Sequence, residues 1–372
     1  MGEMSRRSFL KATAGAAAAV PVLSGGLTRL LAVGPQGYFE REFGISDALC
    51  RRVLAAALAK GGDYADLYFE HTIGNWIVLE DGKVSRAYGD VALGVGIRTV
   101  KGDQVGYGFT QELEEQAMLK AAAVAATIAA GAPVAPAKRL AWMRPADRYP
   151  LQRLFSDVPL ADKLPLVQGV NERCFALSKL VAKVSAQFHD QQKRILVVTS
   201  DGTKAEDLQP RSYLAAFVVA EKDGRKEQAG WNLGGRRDVS FFTPAVVEAV
   251  ASRAVGDAVQ LFDAVQPPAG EMPVVLGPGV TAVLLHEAIG HGMEADFNRK
   301  KTSTFSTMIG RQVAEPFVTI VDDGTIPGLL GSINFDDEGV PGQRTLLVED
   351  GLLRSYMHDR ISARHYGVKP TG

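Results

Sequence analysis

Apolar residues recur at helical spacing over residues 45–60, where Leu49, Val53, Leu54 and Leu58 share a face, Ser46 stands as N-cap and Gly61-Gly62 as the stop. Between 64 and 110 the period drops to two. Ala65, Leu67 and Phe69, then Trp76 and Val78, then Val91, Leu93, Val95 and Ile97 alternate with polar or small residues. Asp81-Gly82 and Lys101-Gly102-Asp103 punctuate these runs, so the segment predicts a meander of antiparallel hairpins. An Ala-rich helix over 113–130 stops at Gly131-Ala132-Pro133, and prolines at 133, 136, 145 and 150 make the next stretch a connecting loop. The order then repeats: a helix over 162–181, strands over 182–206 and 212–232 around Ser200-Asp201-Gly202 and Lys222-Asp223-Gly224, and a helix over 245–262. A duplication is compatible with this order, although no residue-level match supports one.

Gln266-Pro267-Pro268-Ala269-Gly270 breaks the chain, and the domain boundary is placed there. Beyond it come a strand-like stretch at 272–276, a helix over 279–292, and short strands at 317–321, 331–335, 344–349 and 352–357 joined by Asp-Gly and Pro-Gly turns. The expected fold class is α+β. A leader over 1–36 precedes an N-terminal α/β domain over 37–265, with antiparallel sheets and flanking helices, and a β-rich C-terminal domain over 266–372 that carries the histidine-bearing helix.

Composition changes this picture little, since 372 residues at 46% hydrophobic content supply apolar material for the two cores already inferred. The 41 basic and 42 acidic residues are interspersed and give a net charge of -1, so there is no electrostatic footprint for a phosphate backbone and nucleic acid is not an expected partner. Cys50 and Cys174 can pair at most once and lie in no metal-knuckle spacing; they read as inert thiols or one incidental disulfide. The N-terminus is more telling. Ser5-Arg6-Arg7-Ser8-Phe9-Leu10-Lys11 followed by the uncharged, Ala-rich run 12–26 reads as a twin-arginine export signal, which makes the expected location periplasmic or otherwise extracytoplasmic. No good small-residue cleavage site stands out at 25–33, which leaves a retained, tethered leader open. No later apolar run approaches the roughly 20 residues a spanning helix needs, so the body is expected to have no transmembrane span.

Candidate chemistry sits at His286, Glu287 and His291, an HExxxH pattern directly after Val283-Leu284-Leu285. In the familiar HExxH spacing the histidines stand one turn apart and share a helix face. Five residues instead rotate about 140° past a full turn of a regular α-helix, which splays the rings. A single i→i+5 turn restores them to one side, and Gly290 and Gly292 make that distortion inexpensive, so a π-type widening is predicted between the two histidines. Neutral imidazoles suit Zn2+, an incomplete ligand shell leaves a place for water, and Glu287 is placed to take that water's proton. A metal site also needs a third ligand. His358 and Asp359 are the first candidates, with His71, His189 and His365 behind them. A solvated Glu287, with the histidines satisfied as core or cap residues and no metal, is the plain alternative for the same spacing. Glu294 and Asp296 are candidates to orient the imidazoles. Asp322, Asp323, Asp336, Asp337 and Glu338 lack calcium-loop spacing and read as turn residues.

The segment from Leu285 through Glu287, His291 and Glu294 to Phe297 resembles the metal-binding helix of the TldD/PmbA proteins. Val321-Asp322-Asp323-Gly324-Thr325, Asn334-Phe335-Asp336-Asp337-Glu338-Gly339 and Tyr356-Met357-His358-Asp359-Arg360 resemble further motifs of that family in the same order, and Leu79-Glu80-Asp81-Gly82-Lys83 and Gly94-Val95-Gly96-Ile97-Arg98 resemble its opening half. The resemblance implies a zinc peptidase acting on unfolded or small peptides, with His286 and His291 as ligands and Glu287 as general base. It also implies assembly as a homodimer or as a heterodimer with a PmbA-like homologue. Because PmbA-like members lack HExxxH, this chain resembles a catalytic one. The family's third ligand is a cysteine in a C-terminal segment of roughly a further hundred residues, beyond Gly372, and neither Cys50 nor Cys174 carries over to that role. An incomplete site, in a fragment or a short form, is therefore expected, and the alternative function is a non-catalytic subunit of a TldD/PmbA-type complex. A third reading, modulation of DNA gyrase, rests on the family's historical name and is opposed by export and by near-neutral charge.

Overall fold

Two short helices open the described chain, residues 37–372 of a computed structural model; the expected leader, 1–36, lies outside the described residues. Helix α1 spans Tyr38–Phe43 and α2 spans Asp47–Ala57. Ser46 caps α2 as its position predicts, accepting from the Leu49 backbone N–H at 3.3 Å, and the helix buries Cys50, Val53, Leu54 and Ala57. Three strands follow as an antiparallel meander: β1 Tyr64–Glu80, β2 Lys83–Lys101 and β3 Gln104–Thr110, closed off by α3 at Glu115–Ala125. After a loop that holds the two-residue β4 at Ala141–Trp142 and short 3-10 turns at Ala126–Ile128 and Phe155–Asp157, the pattern recurs as α4 Leu160–Leu177, β5 Val181–Thr199, β6 Thr203–Lys222, β7 Arg225–Gly235 and α5 Pro244–Gln260.

The two meanders meet edge to edge at β1 and β5, giving one sheet in the order β3-β2-β1-β5-β6, with β7 antiparallel and β4 parallel along the outer side of β6. Strand β6 runs unbroken through Pro210, where the sequence suggests a gap between two strands. Its residues 205–211 have no partner on the outer side, and a proline is tolerated at such an edge. Period-two alternation sorts the faces. Leu67 and Phe69 of β1 join the core under α2 and α3, and Ile77 and Leu79 join the core under α4 and α5. On the other face Ile195, Val197 and Ala205 receive the ring of Phe335, which belongs to the C-terminal part of the chain. Arg98 of β2 pins the same junction, paired with Asp66 on β1 and, at 2.7 Å, with Glu338.

Beyond α5 regular structure becomes sparse. The elements are α6 Ala282–Leu285, α7 Ala295–Arg299, a small sheet of β8 Ile320–Asp323, β9 Arg344–Glu349 and β10 Leu352–Leu353, and α8 Arg360–Tyr366. Met293, Ala295, Leu347, Val348, Leu353 and Tyr356 form its core. Two expected strands do not form. The stretch at 272–276 finds no partner among the described residues, and Val274 and Val275 stand 73% and 98% exposed. At 331–335 loop backbone and side chains take the place of a neighbouring strand: Ile333 N–H donates to the Gly324 carbonyl at 3.0 Å, Asn334 N–H to the Tyr149 hydroxyl at 3.1 Å, and Arg148 Nη1 to the Ile333 carbonyl at 2.9 Å. The architecture is α+β, and no helix among the described residues is long and apolar enough to cross a membrane.

Candidate metal centre

The run that carries His286, Glu287 and His291 changes its winding twice within twelve residues. It is α-helical over α6, widens to i→i+5 over His286–Gly290, and tightens to a 3-10 turn over His291–Met293. This is the widening that the five-residue spacing calls for. As a result the imidazoles of His286 and His291 meet edge to face, with ring centroids 4.5 Å apart at 75°. A Cβ added at Gly290 would lie 3.7 Å from His286 Nδ1, an ordinary contact, so this glycine eases the backbone rather than clearing space.

One ligand atom from each of His286, Glu287 and His291 lies within 4.8 Å of the others, and all three side chains are exposed. Glu287 Oε2 is 3.7 Å from His291 Nε2. The other ring nitrogen of His291, Nδ1, is 2.6 Å from Glu294 Oε1. Behind this half of the site the backbone is firmly held. Ala295 N–H donates to Met357 O at 2.8 Å, Met357 N–H to Met293 O at 2.9 Å, and Asn298 Nδ2 to the carbonyls of Gly292 and Glu294 at 2.9 and 2.7 Å.

None of the other histidines joins this group. His358 is buried against Tyr356 and Tyr366, and Asp359 is spent as the N-cap of α8, accepting from Ser362 N–H at 2.8 Å. His71 shares a 2.7 Å hydrogen bond with the Tyr38 hydroxyl, His189 is stacked between Trp76 and Tyr213, and His365 packs edge-on to Tyr366. Both cysteines are free and buried, and burial pushes each thiol up to about 12. They are inert here, with no disulfide between them. Asp296 is taken by Lys300 at 3.2 Å. Of the acidic residues assigned to turns, Asp323 and Asp336 are turn acceptors, whereas Glu338 pairs with Arg98 and Asp322 lies within β8. Burial and then Asp323 push the Asp322 carboxyl up, while His286 draws it down.

Three family models match successive parts of the chain: PmbA/TldA metallopeptidase domain 1 over residues 65–129, the central domain over 153–261 and the C-terminal domain over 269–372. The metalloprotease TldD homolog of Haemophilus influenzae is 39% identical over 318 residues, covering 83% of this chain and 66% of that protein. The homolog of the same name from Buchnera aphidicola (subsp. Acyrthosiphon pisum) is 33% identical over 333 residues, covering 88% and 67%. The chain belongs to the TldD/PmbA family. It spans about two thirds of the length of these TldD relatives, and its His286, Glu287 and His291 all fall in the segment matched to the TldD/PmbA C-terminal domain. A crystal structure from Thermotoga maritima, described as a candidate modulator of a DNA gyrase, superposes with a TM-score of 0.72 at 24% identity over 87% of this chain and 73% of that one. That likeness concerns the fold alone. Ahead of the TldD/PmbA body, a twin-arginine translocation signal model matches residues 3–20.

Proposed function

We propose that this chain is an exported zinc-dependent peptidase that hydrolyses unfolded or small peptides. The observation that carries the reading is the convergence of His286 and His291 across the π turn, with Glu287 beside them. The residues fit zinc. Imidazole nitrogens are among its preferred ligands, and those of His286 and His291 lie within 4.8 Å of each other, near enough for side-chain rotation to bring both onto one ion. When bound, zinc polarises the scissile carbonyl and lowers the pKa of water toward 7. Glu287 stands beside the histidine nitrogens, its Oε2 3.7 Å from His291 Nε2, placed to take the proton of the attacking water and hand it to the leaving amine nitrogen. The exposed setting lets an extended peptide lie across both imidazoles. A folded substrate would have to present a loop.

Family membership supports the peptidase class, and the leader supports action outside the cytoplasm. Assembly as a homodimer or with a PmbA-like homologue is supported by the apolar surface leading into the site, where Val275, Val280 and Val283 are 98%, 82% and 56% exposed. We place the domain boundary at residue 266, where the large sheet and its helices give way to the sparse C-terminal architecture.

The purified protein, loaded with zinc, is expected to cleave an unstructured peptide, and Glu287→Gln to retain the metal while losing on the order of a hundredfold or more in rate. Undiminished cleavage by this variant would contradict the assignment of Glu287. A second reading, a non-catalytic subunit of a TldD/PmbA-type complex, is favoured by one observation: no third histidine or cysteine joins the cluster among the described residues. Metal-free protein with no Glu287-dependent hydrolysis would support that reading instead.

A further inference from the structure

We propose that Glu294 is a positioning residue: its carboxylate fixes the tautomer and orientation of His291 so that Nε2 presents a lone pair to the metal. This rests on the reading of His286 and His291 as zinc ligands. Glu294 Oε1 lies 2.6 Å from His291 Nδ1. An ionised carboxylate has only lone pairs to offer, so the shared hydrogen belongs to Nδ1 and the lone pair of the neutral ring belongs to Nε2. Nε2 is the nitrogen on the Glu287 side of the ring, 3.7 Å from that carboxylate.

The backbone that carries Glu294 is built to aim it. The chain leaves the 3-10 turn at Glu294 in an extended conformation, φ -67° and ψ 128°, and there forms a bridge with Met357. Its flanking residues Met293 and Ala295 are buried, and its carbonyl accepts from the buried Asn298 at 2.7 Å. The imidazole of His291, by contrast, is exposed, and the Glu294 contact is the hydrogen bond that selects its ring orientation. The two ligands are held unequally: among the described residues no hydrogen bond holds the ring of His286. His291 is thus the fixed point of the pair and His286 the side that adjusts. A carboxylate behind a ligating histidine fixes the ring and raises its basicity, and its removal typically weakens metal binding 10–100-fold.

The test is zinc affinity, measured by competition with a chromophoric chelator on the full chain. Wild type, Glu294→Ala, Glu294→Gln and His291→Ala are compared, and the thermal midpoint of each metal-free protein serves as the folding control. Glu294→Ala is expected to bind zinc about 10–100-fold more weakly with an unchanged metal-free midpoint. Glu294→Gln, which keeps an acceptor oxygen without the charge, is expected to recover part of the loss. If Glu294→Ala fails to fold, the isosteric Glu294→Gln decides, and an affinity equal to wild type overturns the proposal. Wild-type binding that is lost in His291→Ala but unchanged in both Glu294 variants overturns this inference alone. Absence of zinc binding by wild type overturns it together with the peptidase reading.

Discussion

Asp336 closes the turn after Phe335 by accepting from the backbone N–H groups of Glu338 and Val340 at 2.9 and 2.8 Å. Burial outweighs those bonds and, with Glu338 and Asp337 nearby, raises its carboxyl from 3.8 to about 6. The folded chain therefore holds this proton more tightly than the unfolded chain does. The resulting stabilisation is fully present below pH 3.8 and is lost as the pH rises through 6, on the order of 2–3 kcal/mol in all. Asp336→Asn cannot ionise, so wild type should lose urea stability relative to the variant between pH 4 and 7.5. A constant offset between the two across that window would contradict the assignment. At this scale the sequence was most legible in the geometry of the candidate metal site. His286, Glu287 and His291 announce themselves by type and spacing, and the helical twist alone shows that the turn between them must widen. Arg98 with Glu338 was not legible, since a strand residue and a turn residue 240 positions apart meet only in the folded chain.

Helix α3 lies directly on strand β3 because β3 offers it glycines. A methyl group on Gly106 would run into the carbonyl oxygen of Ala125, and one on Gly108 into that of Ala121. Neither oxygen can rotate away, so the helix itself would have to lift. Gly108→Ala is accordingly expected to cost about 2–3 kcal/mol in urea unfolding, with overpacking as its cause; a change under about 0.5 kcal/mol would show that α3 moves freely on the sheet. The hairpins of both meanders were readable because period-two alternation bounded by Asp-Gly turns needs only local chemistry. Strand β6 carries its pairing with β5 straight through Pro210, so a residue that breaks the local pattern does not break the element. The stretch at 272–276 shows the reverse. Its composition is that of a strand, but a strand exists only where a neighbouring strand completes its hydrogen bonds, and residues 331–335 find theirs in Arg148, Tyr149 and the loop backbone of Gly324 and Gly342 instead.

Across the whole chain, two three-stranded meanders make one sheet, and the C-terminal part docks on the face that the helices leave open. The docking is both apolar and ionic, through Phe335 on Val197 and through Glu338 on Arg98. It leaves the run that carries His286 and His291 outside the large sheet, with one side anchored on Met293, Ala295 and Met357 and the other side exposed from Val274 to Leu285. Every step of the proposed chemistry depends on the imidazole pair. Zinc-edge X-ray absorption on the loaded protein measures it most directly: the prediction is one zinc per chain with two imidazole nitrogens at about 2.0–2.1 Å, and loss of that signature in His286→Ala. A zinc shell without histidine, or one unchanged in His286→Ala, would contradict it.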